Sequence, residues 1–543
     1  MADKLTPQQQ MAVTSRGGKL LVSAAAGSGK TKVLVDRLLG FLTQEHDPAN
    51  LDEFLIITYT KAAASELRGK IAAKLTEEIA RQPENRHLQR QMQRLFLTKI
   101  STVHGFCSDL LREYAYKLDV AADFRVADEN ECREIRETVL EGLLDRAYET
   151  AGDDPDFRAF VDTQGVGRSD RQVPELVEKV YDSAHCHLNP EAWLDKCLTD
   201  AEAEGIGDAG ETVWGQYLIR DFREYLDCQM AVLRQCAESA DSCPGLEKPA
   251  VTLRDALYQL EQLRACTTWD DIAARREPRF GSLRFPTKNN PDPELTERIK
   301  AAWSACKDGL RKKLVGFSND SAQVLTDLHQ TAAAQRGLVA LVRQFDRDYS
   351  AAKRSRRVLD FGDLEHKTLD LLLGKSRSQP TAAAREIGRR YREIMVDEYQ
   401  DSNGVQDAIF DALTREKQNC FMVGDVKQSI YQFRLADPGI FLEKYEKYVP
   451  ARQAEPGQGR KILLSHNFRS GAEVIDAVND VFHTCMRPKV GGLTYGEAEE
   501  LREGIPHVPL DDAVELHVIE TRDDQYPEEA AFVAERIVRM LRE

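Results

Sequence analysis

The sequence lacks the features that mark membrane, secreted and zinc-binding proteins. Its 543 residues contain no run of about 18 apolar residues, so no transmembrane helix is predicted. The first ten residues have no apolar signal-peptide core, and we therefore expect a cytoplasmic location. The eleven cysteines include no C-x-x-C pair, which argues against zinc ribbons and thioredoxin-like motifs. We expect these cysteines to be reduced thiols.

Positive charge is also scarce overall, because the formal net charge is −16. That value alone argues against a nucleic-acid-binding protein. Residues 1–100, however, contain 15 Lys and Arg against 10 Asp and Glu. The distribution of charge matters more than its total, so a locally basic N-terminal segment is compatible with a track for a phosphate backbone. The chain is long enough for roughly three or four domains.

The strongest local motif is the tract AAAGSGKT at residues 24–31. An apolar strand at residues 20–22 precedes it and apolar residues at helical spacing follow it, which is the context of a phosphate-binding loop. Small residues let backbone N–H groups approach phosphate oxygens where the helix begins. One departure is Ala24, which stands where such loops usually have glycine. An ordinary glycine-rich turn is the alternative.

Two residues of this tract carry the expected chemistry. Lys30 is predicted to reach the β- and γ-phosphates of ATP, and Thr31 is predicted to bind Mg²⁺. The loop residues predicted to contact ATP are Ala24, Ala25, Ala26, Gly27, Ser28, Gly29, Lys30 and Thr31.

Strand and helix patterns alternate at both ends of the chain. Buried strands are predicted at residues 20–22, 53–59, 99–103, 393–396, 420–423, 461–464 and 513–519. This alternation predicts an α/β fold with a parallel sheet, in which the loops at the carboxyl ends of the strands form the site. From about residue 130 to residue 349 helical spacing replaces the strand pattern, which predicts one large helical insertion.

Two adjacent carboxylates, Asp397 and Glu398, follow the strand predicted at 393–396. A phosphate-binding loop needs such a pair, because Asp397 can hold Mg²⁺ through water and Glu398 can polarise the attacking water. An exposed acidic turn is the alternative. Gln428 can touch the γ-phosphate, and Arg469 can clamp it from a second domain. Phe468 can stack on adenine, with core packing as the alternative.

Aromatic and polar residues recur at the predicted strand ends. They are Tyr59, His104, Phe106, Phe361, Tyr431 and Phe433. Rings along one edge of a sheet can stack on the bases of a single nucleic-acid strand. Each ring alone is more often part of a core, so it is the recurrence at several turns that favours a single-strand track.

Eight short motifs occur along the chain in one order. They are LTPQQ, AAAGSGKT, ITYTKAAASELR, STVHGFC, LDFGDL, VDEYQD, VGDVKQSIYQFR and LSHNFRS. In this order they resemble the motifs of UvrD/Rep-type superfamily 1 DNA helicases. The Ala-rich tract after TYTK, the STVHGFC string and the long helical segment most resemble the AddA-type subunits of AddAB helicase-nucleases. RecB-like and other UvrD-like proteins are the near alternatives.

The resemblance implies a RecA-like P-loop sheet with a large all-helical insertion and a partial second RecA-like domain. The implied domains are the first motor domain at 1–115 and 346–436, the insertion at 116–345, and an incomplete second motor domain at 437–543. The implied activity is ATP- and Mg²⁺-dependent 3′→5′ movement on single-stranded DNA, with duplex unwinding, in double-strand-break repair by recombination. An AddB-like partner subunit is implied as well, and no membrane association.

The resemblance also assigns residue roles. Gln9 would contact adenine, Gln428 would couple the nucleotide to DNA, and Arg469 would contact the γ-phosphate. The roles given above are kept by Lys30, Thr31, Asp397, Glu398 and Phe468. The DNA track would be lined by Tyr59, His104, Phe361 and Phe433.

One departure concerns the end of the chain. The family has further motifs after the position of Arg469, including a second arginine that completes the ATP site, and AddA-type proteins add a nuclease domain. Neither is found before Glu543, so we expect a truncated chain with weak turnover on its own. The alternative function is an ATP-gated DNA-binding or assembly subunit with little turnover, and a P-loop ATPase unrelated to DNA is a third.

Overall fold

Buried apolar runs of the sequence become strands in the computed structural model, which describes residues 5–164, 172–286, 290–430, 436–508, 514–519 and 527–542. The strands within these ranges are β1 (Leu20–Ala24), β2 (Phe54–Thr58), β3 (Lys99–Thr102), β4 (Arg125–Val126), β5 (Val358–Leu359), β6 (Glu393–Val396), β7 (Cys420–Gly424), β8 (Val449–Pro450), β9 (Arg460–Leu464), β10 (His466–Asn467) and β11 (Arg502–Glu503). Six of the predicted strands match β1, β2, β3, β6, β7 and β9.

The helices fill the remaining regular structure. They are α1 (Pro7–Thr14), α2 (Lys30–Leu42), α3 (Lys61–Arg81), α4 (Arg86–Arg94), α5 (Val103–Glu113), α6 (Glu129–Glu149), α7 (Pro155–Gln164), α8 (Gln172–His185), α9 (Pro190–Glu202), α10 (Val213–Asp241), α11 (Glu247–Arg264), α12 (Trp269–Ala274), α13 (Pro293–Leu314), α14 (Ser321–Ser355), α15 (Phe361–Leu373), α16 (Ala382–Arg390), α17 (Gly404–Thr414), α18 (Pro438–Lys447), α19 (Ala472–Cys485), α20 (Pro488–Gly491) and α21 (Pro527–Met540). Among the described residues, no helix has both the length and the apolar character needed to cross a bilayer.

Seven strands form one sheet in the order β3-β2-β6-β7-β1-β9-β8, and every neighbouring pair is parallel. The strand β1 lies between β7 and β9, with Val22 opposite Val423 and Ile462. The predicted α/β class with a parallel sheet is confirmed. Because the strands are parallel, their carboxyl ends lie along one edge, and the loops that carry the predicted site residues leave from that edge.

Both faces of the sheet are buried, because successive strand side chains point to opposite sides. Leu21, Leu55 and Ile57 belong to the core on one face. Leu20 and Val22 belong to the core on the other face. Helices cover both faces, as the continuous apolar character of these strands requires.

The chain divides into two compact units. The sheet belongs to the first, which comprises Met1–Ala127 and Arg357–Glu543. The second, Asp128–Arg356, contains α6 to α14 and no strand among its described residues. One of its cores packs Phe222 and Leu226 of α10 with Leu253 and Leu260 of α11. The strandless stretch of the sequence is therefore a separate helical unit.

The junction between the units is a short parallel bridge within the first unit. Arg125 of β4 lies opposite Val358 of β5, and the Ala127 N–H donates to the Leu359 carbonyl at 3.0 Å. The sequence predicted the insertion at 116–345, and the helical unit of the structure runs from 128 to 356.

One local expectation differs from the structure. Residues 514–519, the described part of the strand predicted at 513–519, form no strand. The strands β8 and β9, which come from the stretch 437–543 assigned to a second motor domain, belong to the same sheet as β1. The division into motor domains remains a prediction.

Candidate functional site

The tract at residues 24–31 forms a tight loop between β1 and α2. The Ala25 N–H donates to the Leu464 carbonyl at 2.9 Å, which continues the pairing of β1 with β9. Gly27 and Gly29 have φ angles of +70° and +81°, in the left-handed region that favours glycine. A Cβ on Gly27 would also lie 2.5 Å from Asn467 Oδ1. The loop therefore requires glycine at 27 for both conformation and space.

Gln9 packs against this loop. Thr6 and Gln9 form a capping box at the start of α1, with the Gln9 N–H donating to Thr6 Oγ1 at 3.1 Å. The buried Gln9 amide then donates to the Ser28 carbonyl at 2.9 Å. The capping box fixes the backbone of Gln9, so its side chain is held beside the loop that is predicted to bind the nucleotide.

Lys30 of the loop meets Glu398 after β6. The distance from Lys30 Nζ to Glu398 Oε2 is 2.6 Å. Glu398 itself has a φ of +51°, an uncommon conformation for a residue other than glycine and one that is found at functional sites. Two residues 368 positions apart in the sequence are thus brought into contact at the carboxyl edge of the sheet.

The acidic turn after β6 carries three carboxyl groups, on Asp397, Glu398 and Asp401, and Lys30 is the positive side chain that contacts Glu398 among them. Burial raises the pKa of Asp397 to about 6, and the Glu398 carboxylate adds to the rise while Lys30 opposes it. The pKa of Asp401 is also raised to about 6, by burial first and by Glu398 second. Such shifts show that a further positive charge would be stabilised here.

Thr31 and Asp397 fit a Mg²⁺ ion by the chemistry of their oxygen donors. Asp401 Oδ1 is buried and has no hydrogen-bond partner among the described residues. Within the same ranges, no group of three or more His, Cys, Asp or Glu residues is arranged to hold a metal by itself.

Gln428 is connected to this acidic turn by hydrogen bonds through Asp425. Its amide donates to Asp425 Oδ2 at 2.8 Å, and Lys427 Nζ lies 2.8 Å from Asp425 Oδ1. The Asp425 N–H donates to Gln400 Oε1 at 2.9 Å, and the Gln400 amide donates to Glu398 Oε2 at 3.0 Å. Gln428 is thereby connected to Glu398 through two intervening residues.

The tract after β9 lies against the P-loop. The Phe468 N–H donates to the Gly27 carbonyl at 2.9 Å. Asn467 is buried, and its Oδ1 accepts from the N–H groups of Arg469 (2.7 Å) and Ser470 (2.9 Å). The Arg469 side chain is exposed. The structure therefore places the backbone of this tract at the loop and leaves the Arg469 side chain exposed.

Three of the four predicted DNA-facing residues, Tyr59, His104 and Phe361, lie along the same edge of the sheet, and we call them the second cluster. His104 and Phe361 stack with ring centroids 4.4 Å apart, and Phe361 is 57% exposed. His104 Nε2 lies 3.0 Å from Glu365 Oε1. The Tyr59 hydroxyl hydrogen-bonds Ser402, and burial raises the pKa of Tyr59 well above its ordinary value.

Glu365 is the buried carboxylate that holds this cluster through its contact with His104. Burial favours its neutral form, but hydrogen bonds from His104, Gln406 and Asn403 outweigh that effect and lower the pKa of Glu365. The Gln406 amide donates to Glu365 at 2.7 Å. A buried carboxylate that keeps its charge holds His104 in place, with Phe361 stacked on it.

The remaining aromatic predictions separate into two groups. Phe106 is buried in the core, and together with His104 it lies in α5 rather than in a loop, because Thr102 caps that helix at the Gly105 N–H. Phe433 and Tyr431 lie outside the described residues.

For three residues of the site, the sequence predicted no individual role. Gln400, Asp425 and Asn467 stand inside quoted motifs, and all three are buried. The available signal was their position, since each lies within three residues of a predicted site residue. Their roles depend on partners from distant parts of the chain, which no local pattern shows.

These observations define a P-loop nucleotide-binding protein with an acidic pair in the turn that follows a strand of the same sheet. A family model described as UvrD/REP helicase N-terminal domain matches residues 5–449. The chain belongs to the UvrD/REP helicase family, as the eight motifs predicted.

Curated relatives narrow the similarity to one kind of protein, the A-type subunit of an ATP-dependent helicase/nuclease. The relative from Pelotomaculum thermopropionicum is 37% identical over 544 residues, which cover 96% of this chain and 42% of the relative. The protein of the same description from Moorella thermoacetica is 37% identical, covering 95% and 37%. That from Listeria welshimeri is 35% identical, covering 92% and 41%. The predicted AddA-type resemblance is confirmed, and the chain spans about two fifths of the length of these relatives.

Proposed function

We propose that this chain is the ATP-hydrolysing part of a DNA helicase that moves 3′→5′ along single-stranded DNA. The observation that carries the proposal is the contact of Lys30 with Glu398, at 2.6 Å. It joins a phosphate-binding loop to a carboxylate placed to act as a base. Membership of the UvrD/REP helicase family supports DNA as the substrate.

The residues divide the work of hydrolysis as follows. Lys30 and the P-loop N–H groups bind the phosphates. Gln9, which its hydrogen bond to the Ser28 carbonyl holds beside the loop, recognises the adenine. Thr31 and Asp397 hold Mg²⁺, which neutralises phosphate charge when bound. Glu398 accepts a proton from the attacking water once phosphate has drawn Lys30 away from it.

Binding of DNA is assigned to the second cluster. Phe361 offers an exposed ring for a base to stack on, and His104 beneath it is held by Glu365. Tyr59 lies on the same edge, and we extend the track to Phe433. Arg469 is assigned to the γ-phosphate, because its exposed side chain belongs to the tract whose backbone contacts the loop at Gly27.

The wider role follows from the relatives. Their description as A-type helicase/nuclease subunits supports an AddB-like partner protein and a role in double-strand-break repair by recombination. We place the protein in the cytoplasm, where its eleven free cysteines stay reduced.

Steady-state ATPase assays with and without single-stranded DNA test the proposal. We expect DNA to stimulate turnover, and Glu398→Gln to reduce turnover by about 10²- to 10⁴-fold because the base is removed while the side-chain volume is kept. Nucleotide binding by Glu398→Gln, measured by equilibrium titration, is the control. Turnover that Glu398→Gln leaves unchanged would refute the assignment. Nucleotide-dependent DNA binding without turnover would favour the gated binding subunit.

A further inference from the structure

Gln400 is a buried amide that no part of the proposed mechanism uses. It lies in the 3₁₀ turn Tyr399–Asp401, and 2% of its surface is exposed. A buried amide needs partners for its polar atoms, and Gln400 has them on two different elements. Its partners belong to the turn after β6 and to the end of β7.

On the side of β6, the Gln400 amide donates to two carboxylates. The distance from Nε2 to Glu398 Oε2 is 3.0 Å, and that to Asp401 Oδ2 is 3.4 Å. Glu398 Oε2 is the same oxygen that accepts from Lys30 at 2.6 Å. Two donors therefore share one carboxylate oxygen.

On the side of β7, Gln400 Oε1 accepts from the Asp425 N–H at 2.9 Å. Asp425 is 1% exposed and in turn accepts from Gln428 and pairs with Lys427. Glycine at 424 makes room for this contact, because a Cβ there would lie 2.4 Å from Gln400 Oε1. Gln400 is therefore in direct contact with the turn that carries Gln428 through the Asp425 N–H.

A phosphate group bound to Lys30 would compete with Glu398 for that ammonium. Once Lys30 turns to phosphate, the Gln400 amide is the donor that still holds Glu398 Oε2. The orientation of the base then depends on Gln400, and the same side chain passes any shift of Glu398 to Asp425 and Gln428.

We propose that Gln400 is a positioning residue that orients Glu398 and couples its state to the β7 turn, so that phosphate binding alters DNA affinity. This inference rests on the proposed function, since it needs Glu398 to respond to bound phosphate. Gln400 contacts neither phosphate nor DNA in this role.

The experiment measures coupling rather than turnover. Affinity for a fluorescent oligo-dT strand is measured with and without a saturating non-hydrolysable ATP analogue. We expect the analogue to change the affinity of the unmodified chain by about 5- to 150-fold, the usual range for linked sites. Gln400→Leu should bind the analogue and the DNA separately but lose the coupling, giving a ratio within about 2-fold of unity.

A matched control is Gln91→Leu. Gln91 is a buried amide as well, and its Oε1 accepts from the Leu51 N–H at 2.9 Å. Leu51 lies near the amino end of β2, whereas the site lies at the carboxyl ends of the strands. Gln91→Leu should lower stability as Gln400→Leu does and leave the coupling ratio unchanged. If Gln400→Leu fails to fold, Gln400→Glu replaces it, because its oxygen still accepts from Asp425 but cannot donate to Glu398.

The outcomes separate the two hypotheses. Folded Gln400 variants that keep the full coupling ratio would overturn the positioning role, even where Glu398→Gln abolishes turnover. An unmodified chain that shows neither coupling nor DNA-stimulated turnover would overturn the proposed function and this inference together. Loss of coupling in the Gln400 variants alone supports both.

Discussion

Asp397 shows how one residue is prepared for a ligand at the expense of the fold. It lies in a turn with Glu398 and Asp401, and burial and the Glu398 carboxylate raise its pKa while Lys30 and, more weakly, Lys70 oppose the rise. Its pKa is raised to about 6 because burial and a like charge both disfavour the ionised form. At neutral pH the ionised Asp397 destabilises the fold, and we expect a bound cation to offset that cost.

The pH dependence of stability should reveal this. A carboxyl group with a folded pKa above its ordinary value of 3.8 contributes stability that is present below that value and lost as pH rises through about 6. We therefore expect Asp397→Asn to be more stable than the unmodified chain at pH 7.5, by about 1–3 kcal/mol. The gain should shrink toward pH 5. Urea denaturation without nucleotide or Mg²⁺ measures it, and a gain that stays constant with pH would contradict the assignment.

The residues whose positions at the site could be predicted are those that belong to a recognisable local pattern, and their roles remain predictions. Lys30 follows Gly29 at the start of a helix, and Glu398 follows an apolar strand, so both were predictable. Gln400 and Asn467 were not, because each acts through contacts with a segment far away in the chain. A glutamine in a turn has no local pattern that distinguishes a buried coupling role from an exposed one.

At the scale of elements, a buried ion pair fastens α2 to β6. The Arg37 guanidinium donates to both Glu393 oxygens, at 2.7 and 2.5 Å, and to the Ala12 carbonyl at 2.7 Å. Only 1% of the Arg37 surface and 3% of the Glu393 surface are exposed. The pair links the end of α1, the helix after the P-loop and the strand that delivers the acidic turn.

Removing one member of this pair should be costly. Glu393→Gln leaves the Arg37 charge buried without its counter-ion, and we expect a loss of about 3–5 kcal/mol in the free energy of unfolding. Asp52→Asn is the control, since Asp52 pairs with Arg94 at 2.8 Å on the surface and should cost less than about 1 kcal/mol. Denaturant titration measures both. Equal effects would show that burial does not decide the strength of the Arg37 pair.

The elements themselves were predictable where burial controls them. The inner strands of the sheet are continuous apolar runs, because a parallel sheet buries both of its faces, and this signal gave their bounds closely. The strand predicted nearest the end of the chain, at 513–519, was less reliable. Apolar residues at 514–519 do not form a strand, since a strand also requires a neighbour to pair with, and the sequence does not show whether one is present.

At the scale of the whole molecule, each of the two units has a hydrophobic core of its own among the described residues. The cores on the two sheet faces are built from the first unit, and the core around α10 and α11 is built from the second. The chain enters and leaves the second unit beside the β4–β5 bridge, where Arg125 lies opposite Val358. The two points at which the first unit is interrupted, Ala127 and Arg357, are therefore close together.

Excision tests this independence. Replacing residues 128–356 with a short Gly/Ser linker should leave a sheet unit that unfolds cooperatively and binds nucleotide, because its cores lose no side chain. Replacing 116–345 instead removes β4 and the buried Phe124, and should give a far less stable product. Circular dichroism melts and nucleotide titration compare the two. Equal stability of both products would contradict the place assigned to the junction.

The same bridge has an evolutionary meaning. A gene that acquires coding sequence between two paired strands can lengthen, shorten or exchange the encoded segment while the parent sheet keeps its register and its hydrogen bonds. The β4–β5 bridge is thus a position at which the length of the inserted segment can change while Arg125 and Val358 stay opposite each other.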